Sequence, residues 1–423
     1  MREMKDSGIE WVGNIPATWK SIQIKNLFTI LSGATPTPDT DNWDGDVLWI
    51  TPADYKTKDK YVSGGKRNIS QQGFNTCSTS MIPKGSIIFS KRAPIGTVAI
   101  NTEVLCTNQG CLSCVSKADT CNDYYYYVMS VGTEHFELLG SGTTFKEISA
   151  NSFSNCKLPC PDKCEQEKIA SFLDERCSAF NCLISDIQSQ IEALEEYKRS
   201  VITEAVTKGL DPDVEMRDSG IAWVGDIPAH WITHPLYFYF GERKNKNALG
   251  LETNLLSLSY GKIIRKDINS NGGLLPESFN TYNIIEKDDI IIRPTDLQND
   301  KRSLRTGIAR EHGIITSAYI AMKAIKAVNP EYFHYLLHAY DVMKVFYNMG
   351  NGVRQGLNFS EFSRLMVFEP AIEEQNAIVS YLKEKCDEID LAIAEKKQQI
   401  ETIEEYKKSL IFEYVTGKKE VQA

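Results

Sequence analysis

DSGIEWVGNIPATW, Asp6 to Trp19, returns 212 positions later as DSGIAWVGDIPAHW, Asp218 to Trp231. A stretch of this length kept twice in 423 residues points to two copies of one plan rather than one large core. The correspondence continues well beyond it. EQEKIASFLDERCSAF from Glu165 matches EEQNAIVSYLKEKCDEI from Glu373, which pairs Gln166 with Gln375 and Cys177 with Cys386. EEYKRS (Glu195–Ser200) matches EEYKKS (Glu404–Ser409), and the Gly-rich GSGTTFKEISANSF (Gly140–Phe153) parallels GNGVRQGLNFSEF (Gly350–Phe362). Each half reads as an opening motif, a variable strand-rich domain, a Gly-rich loop and a long helix. Two copies are too few for a solenoid.

The helices follow from periodicity. Apolar residues recur in steps of three and four at Leu173, Cys177, Phe180, Ile184, Ile187, Ile191, Leu194, Tyr197 and Val201. The second copy gives Leu382, Cys386, Ile389, Ile393, Ile400, Ile403, Tyr406 and Leu410, with Lys396 interrupting the stripe. Neither 165–208 nor 374–416 holds a proline or glycine, so each can run as one helix of roughly 65 Å. So narrow a stripe is what a two-helix coiled coil buries. Between the helices, GSIIFS (Gly85–Ser90), GTVAI (Gly96–Ile100) and DIIIRP (Asp289–Pro294) read as buried strands, while DYYYYVMSVG and EYFHYLLHAYDVMKVFYNMG read as short helices.

Net charge is −9, which alone argues against a nucleic-acid partner. The acid, however, concentrates in the helical segments, and residues 232–330 carry +4. No apolar run approaches the ~20 residues of a membrane helix, and MREMKDSGIE has no apolar secretory core. A cytoplasmic location is expected, with the eleven cysteines reduced. Cys106, Cys111 and Cys114 have iron–sulfur-like spacing, with Cys121 beyond, and Cys156, Cys160 and Cys164 form a second group. The CLSC run is apolar and strand-like, and the second half lacks these cysteines, so no metal is expected.

Catalytic signatures are missing. There is no phosphate loop, no G-x-G-x-x-G and no HEXXH, so no cofactor is expected. His334 and His338 stand four apart on an aromatic helix, where packing explains them better than ligation. NPEY (Asn329–Tyr332) nears the N-P-P-[YF] element of adenine methyltransferases, but Glu331 replaces the second proline, and Asn-Pro also simply starts a helix.

The opening motifs WVGNIPATW and WVGDIPAHW, SGATP (Ser32–Pro36), IPKGSIIFSKRAPIGTVAI (Ile82–Ile100), EEYKRSVITEAVTKGLDP (Glu195–Pro212) and EEYKKSLIFEYVTGK (Glu404–Lys418) together resemble the DNA-specificity subunits of type I restriction-modification systems. The resemblance covers nearly the whole chain. It implies an α/β (α+β) fold with two similar globular target-recognition domains separated by two long antiparallel coiled-coil helices, a pseudo-two-fold internal duplication. The expected layout is recognition domain 1 at 1–161, a spacer helix at 162–211, recognition domain 2 at 212–370 and a second spacer helix at 371–423. It further implies a non-catalytic role: each domain reads one half of a split double-stranded DNA target. The helices set the gap and dock two methyltransferase subunits, to which restriction/translocase subunits add. The alternatives weighed are an autonomous adenine methyltransferase acting through Asn329–Tyr332 and a coiled-coil adaptor without DNA binding.

DNA contact calls for Lys and Arg at phosphates, and for Arg, Lys, Asn, Gln or hydroxyls at bases. In the first half the candidates are Lys56, Lys58, Arg67, Lys91, Arg92, Thr143, Thr144 and Lys146. In the second they are Arg243, Lys244, Lys246, Arg265, Arg293, Lys301, Arg302, Arg305, Arg354 and Gln355. Lys91, Arg92, Arg302, Arg305 and Arg354 stand out because they sit beside Gly and Pro in loops able to approach a groove. Tyr197 and Tyr406, near the helix ends, are the candidate partner contacts, with core packing as the alternative.

Overall fold

The structure is a computed structural model. It describes residues 2–422 apart from 57–58, 143–145, 222, 269–275, 277, 296–303 and 350–355. The chain divides into two units, Met1–Ile187 with Gln398–Ala423, and Gln188–Lys397. Each unit therefore contains part of both long helices, Lys163–Lys208 and Ile372–Val415.

In unit 1 the opening motif forms an antiparallel hairpin, Met4–Asp6 with Asn14–Pro16, that leads into the buried Trp19. Lys20–Gln23 then pairs with Lys157–Cys160, bringing the start of the domain beside its end. Between them lies a sheet in the order Phe28–Ser32, Cys111–Ser116, Ile87–Ser90, Val98–Asn101, Tyr61–Val62, antiparallel except for the last pair. Ile87–Ser90 is buried on both faces: Ile87 and Phe89 enter a core with Tyr124 and Phe136, while Ile88 enters a second with Ile50 and Leu105. Cover on both faces is why this strand reads as an unbroken apolar run instead of alternating. The helix Asn122–Val131 buries Tyr124 to Met129.

Unit 2 repeats the build. Met216–Asp218 pairs with Asp226–Pro228, and Ile232–Pro235 pairs with Met366–Glu369. Its central sheet, Phe240–Glu242, Ile320–Ala324, Ile290–Ile292, Thr306–Ile308, has the order of the first four strands of unit 1. The helix Pro330–Val342 takes the place of Asn122–Val131, with Asn329 as its N-cap and Pro330 at its first position.

The same contacts close each unit. Gln166 and Gln375 are each only 1% exposed. The Gln166 carboxamide accepts the Cys121 N–H at 2.9 Å and donates to the Pro161 carbonyl at 3.0 Å. Gln375 accepts the Asn329 N–H at 2.8 Å and donates to Pro370 at 2.9 Å. Trp19 Nε1 donates to Glu165 at 2.8 Å, and Trp231 Nε1 to Glu374 at 3.0 Å. In unit 1 the Tyr124 hydroxyl reaches the Val415 carbonyl, at the end of the second long helix. In unit 2 the Tyr332 hydroxyl reaches Val206, at the end of the first. The repeated motif thus forms a seat for a helix end. Gly417 follows the helix in the left-handed region, φ 72°, and a Cβ there would come within 2.5 Å of Pro16 and 3.1 Å of Trp19. Only glycine fits this C-cap.

Within unit 1 the helix segments run antiparallel, with Phe172 tilted against Tyr414, Phe180 edge-on to Tyr406, and Lys407 bonded to Asn181. Within unit 2 the pairing continues antiparallel as Lys396 to Gln190 at 2.5 Å and Lys198 to Asp390 at 2.6 Å. Lys396, the interruption in the stripe, thus finds a polar partner across the pair. Tyr197 and Tyr406 leave the seam: each is 55% exposed.

Candidate nucleic-acid interface

Unit 1 brings two sequence-distant loops together. The strand Ile87–Ser90 runs into Lys91 and Arg92, whose backbone bridges to Glu147 at the edge of the Gly-rich loop, and the Ile148 N–H bonds the Lys91 carbonyl. Both cations converge on one carboxylate, Lys91 Nζ and Arg92 Nε each 2.7 Å from Glu147. The Lys91 hydrogen bond, with that of Arg92, holds the Glu147 carboxyl below its usual range against the opposing effect of burial. Lys146 is exposed beside them. Two cations thus share one acid across a loop pair, an arrangement in which a phosphate can take the place of the carboxylate. Thr143 and Thr144 lie outside the described residues, as does Lys58, while Lys56 is exposed.

Arg67 forms a fork to Asp44, both bonds 3.0 Å, with its guanidinium 4.4 Å from the Trp43 ring centroid. Planar stacking with a bidentate acid pre-sets an arginine for a planar acceptor. In unit 2, Arg265 bonds Glu311 at 2.8 Å, Lys244 meets Glu242 at 2.8 Å, and Lys246 bonds the Thr281 carbonyl at 3.0 Å. Arg243 pairs with Asp289, 2.9 Å from Nη2 to Oδ1; that carboxyl is raised by burial, and the Arg243 bond opposes the shift. Arg293 is half-buried at the end of its strand.

Arg305 departs from the surface role expected of it. It is fully buried, its guanidinium donates to the Arg293 and Thr295 carbonyls, and its backbone N–H bonds Asp341. It ties a loop to the core instead of facing a groove. The remaining second-half candidates, Lys301, Arg302, Arg354 and Gln355, lie outside the described residues.

The sequence reading missed a lysine tract. Lys20, Lys25, Lys117 and Lys157 are all exposed in unit 1, on or next to the paired segments Lys20–Gln23 and Lys157–Cys160 and the sheet edge at Phe28. The topologically equivalent positions in unit 2 are Ile232, Tyr237, Ile325 and Met366, also exposed. Four lysines dispersed over 138 positions leave no local signal; only strand pairing collects them.

The cysteine and Asn-Pro features have structural uses. Cys106, Cys111 and Cys114 enter three different cores, and burial raises all three thiols, Cys106 to about 11 and Cys111 to about 12. Thiols facing apart cannot share an ion. The Asn329 side chain caps its helix at the Glu331 N–H, 2.9 Å away, and Glu331 pairs with Arg310 and Lys383.

Residues 16–193 match the family model of the type I restriction modification DNA specificity domain. The chain is 36% identical over 189 residues to the type I restriction enzyme MjaIX specificity subunit of Methanocaldococcus jannaschii, which covers 44% of this chain and 43% of that one. That match takes in less than half of the relative's length. A second relative from the same organism, the putative type I restriction enzyme MjaX specificity subunit, is 24% identical and covers 96% of this chain and 95% of its own. Residues 16–193 are thus similar to a type I restriction modification DNA specificity domain.

Solved structures show the same fold. A chain from work on complex assembly and conformational transition of the type I R-M system aligns with a TM-score of 0.69 at 12% identity, covering 95% of this chain and 99% of that one. The HsdS subunit of Thermoanaerobacter tengcongensis aligns at 0.50 and 13% identity, covering 95% and 98%. The frame of opening motif, buried glutamine and helix end is common to both units. What differs between them is the chain between the frame points, including the cationic loops.

Proposed function

We propose that the chain is the non-catalytic DNA-specificity subunit of a type I restriction-modification enzyme. It recognises a bipartite double-stranded target, one half-site per recognition domain, with the gap set by the long helices. The domains are those expected from the sequence, 1–161 and 212–370, with the helices between and after them. Two methyltransferase subunits dock on the chain, using among other contacts the exposed Tyr197 and Tyr406, and restriction/translocase subunits add to that complex. The assembly acts on cellular DNA and works in the cytoplasm.

The observation that carries this reading is the pairing of a repeated frame with non-repeated cationic loops. Two readers of like build and unlike surface suit a target of two unlike halves. In unit 1 the readers of choice are Lys91, Arg92, Thr143, Thr144 and Lys146, and Lys56, Lys58 and Arg67 are the DNA-backbone contacts. In unit 2 they are Arg293, Lys301, Arg302, Arg354 and Gln355, supported by Arg243, Lys244, Lys246 and Arg265; Arg305 contributes by holding its loop. Carboxylate-paired cations fit this role, because DNA phosphate replaces one anion with another and the cost of ordering the side chains is already met.

The test is co-expression with the methyltransferase subunit encoded beside it, followed by genome-wide mapping of methylated adenines. A two-part motif with fixed spacing, present only with this chain, is the expected result. Exchanging residues 232–370 for those of a relative should change one half of the motif and leave the other. A well-formed complex that yields no new methylation would overturn the specificity role, and methylation by the isolated chain would overturn the non-catalytic one.

A further inference from the structure

Unit 2 carries a groove of about 640 Å³ whose walls are the first long helix and the end of the Pro330–Val342 helix. Arg199, Thr203, Trp223, Val342 and Met343 line it, and Trp223 also packs against Tyr340 with ring centroids 4.1 Å apart. The duplication provides a direct comparison. Aligned through the opening motif, the EEYK segment and the two N-caps Cys121 and Asn329, these positions correspond in unit 1 to Lys408, Phe412, Trp11, Glu134 and His135.

In unit 1 that place is occupied by the chain itself. Phe412 and His135 lie against Trp11 with centroids at 6.4 and 6.1 Å, and Lys418 covers the Phe412 ring at 4.0 Å. Lys408 Nζ reaches across to Glu134 at 2.8 Å. In unit 2 Thr203 stands where Phe412 does and Val342 where Glu134 does, so neither the ring nor the bridge can form. Threonine is smaller than phenylalanine by most of an aromatic ring, and Thr203 lines the groove without filling it.

We propose that the unit 2 groove receives an aromatic side chain from the methyltransferase subunit, while the equivalent place on unit 1 is filled in advance by Phe412 and His135. The inference rests on the assembly proposed above and adds that its two docking positions are unequal. Unit 1 identifies the occupant: the seat over this tryptophan fits an aromatic ring. The rim of the unit 2 groove balances Glu196 and Glu204 against Arg199 and Lys208, so no surplus of positive charge draws in nucleic acid. An aromatic anchor in a pocket with a polar rim is the composition of a protein–protein hot spot.

The experiment is calorimetric titration of the full chain with the purified methyltransferase subunit, with native mass spectrometry to count the copies bound. Two copies are expected, with affinities at least about tenfold apart. Thr203→Phe, which fills the groove from within, should reduce the tighter site to the level of the weaker one. Phe412→Thr, which opens the place on unit 1, should strengthen the weaker. Thermal melts at or above the wild-type midpoint for T203F would exclude misfolding as the cause. Two equal sites in the wild type, or T203F affinities unchanged from wild type, would overturn the groove proposal and leave the assembly standing. No binding by the wild-type chain would overturn both.

Discussion

Replacing Gln166 with leucine tests whether the duplicated glutamine is structural. The side chain is 1% exposed and bonds the Cys121 N–H and the Pro161 carbonyl, with a longer bond to the Asp119 carbonyl. Leucine has similar length and neither donor nor acceptor, so the buried Cys121 N–H would lose its partner and the Pro161 carbonyl would keep only the weak Cys160 thiol bond. Each such group costs about 1–3 kcal/mol, and burying leucine in place of an amide returns part of it, so the net loss is about 2–4 kcal/mol. Gln375→Leu should cost unit 2 a similar amount through Asn329 and Pro370. Hydrogen exchange resolved by peptide separates the units: Q166L should lower protection over Tyr124–Met129 and Q375L over Tyr332–Leu337. Gln188→Leu, at an exposed helix position, is the control and should move stability by less than about 0.5 kcal/mol. If Q166L were no worse than Q188L, the buried bridge would not hold the start of the Asn122–Val131 helix to the start of the long helix, and the repeated glutamine would have no structural role.

Two further outcomes are expected. Lys91→Ala with Arg92→Ala should weaken DNA binding by the assembled enzyme and lower the salt slope by about two phosphate contacts, while Glu147→Gln should tighten binding by about two- to fivefold; both are read by fluorescence anisotropy across a salt series. Burial lowers His338 to about 4, with Lys198 adding to the shift, and lowers His334 to about 3, with His338 adding to it. Because these folded-state values lie below the unfolded one near 6.5, the unfolded chain binds protons that the folded chain refuses. Stability is therefore full above about pH 6.5 and falls on acidification, by about 2 kcal/mol per histidine at pH 5, and His338→Leu should flatten the loss measured by melting at pH 7 and pH 5.

The sequence announced the parts of this fold that depend on local pattern. The runs at Ile87, Val98 and Ile290 became strands, and the seam from Leu173 to Val201 is buried or half-buried except where Tyr197 turns outward. Tyrosine at a seam position satisfies the apolar count, but its hydroxyl favours water, so periodicity alone does not fix its direction. Arg305 failed differently. A loop arginine near Gly and Pro reads as exposed until backbone carbonyls from a neighbouring strand are known to converge on it. Glu147 lies 55 positions from Arg92, so the acid that organises the cationic loop was not legible either. Nor does any local pattern tell a chain that Gly417 caps its helix against Trp19.

That last contact has a consequence for the order in which the protein is made. Unit 2 is continuous in sequence, Gln188–Lys397, whereas unit 1 needs Gln398 onward. Between Leu173 and its core partner Leu410 the ribosome adds 237 residues, about 12–50 s of synthesis at ~5–20 residues per second. Through that interval the seat around Trp19 and Tyr124 has no helix end to fill it. The unit translated first is thus the unit completed second, and it must remain competent to fold while a whole second domain emerges behind it.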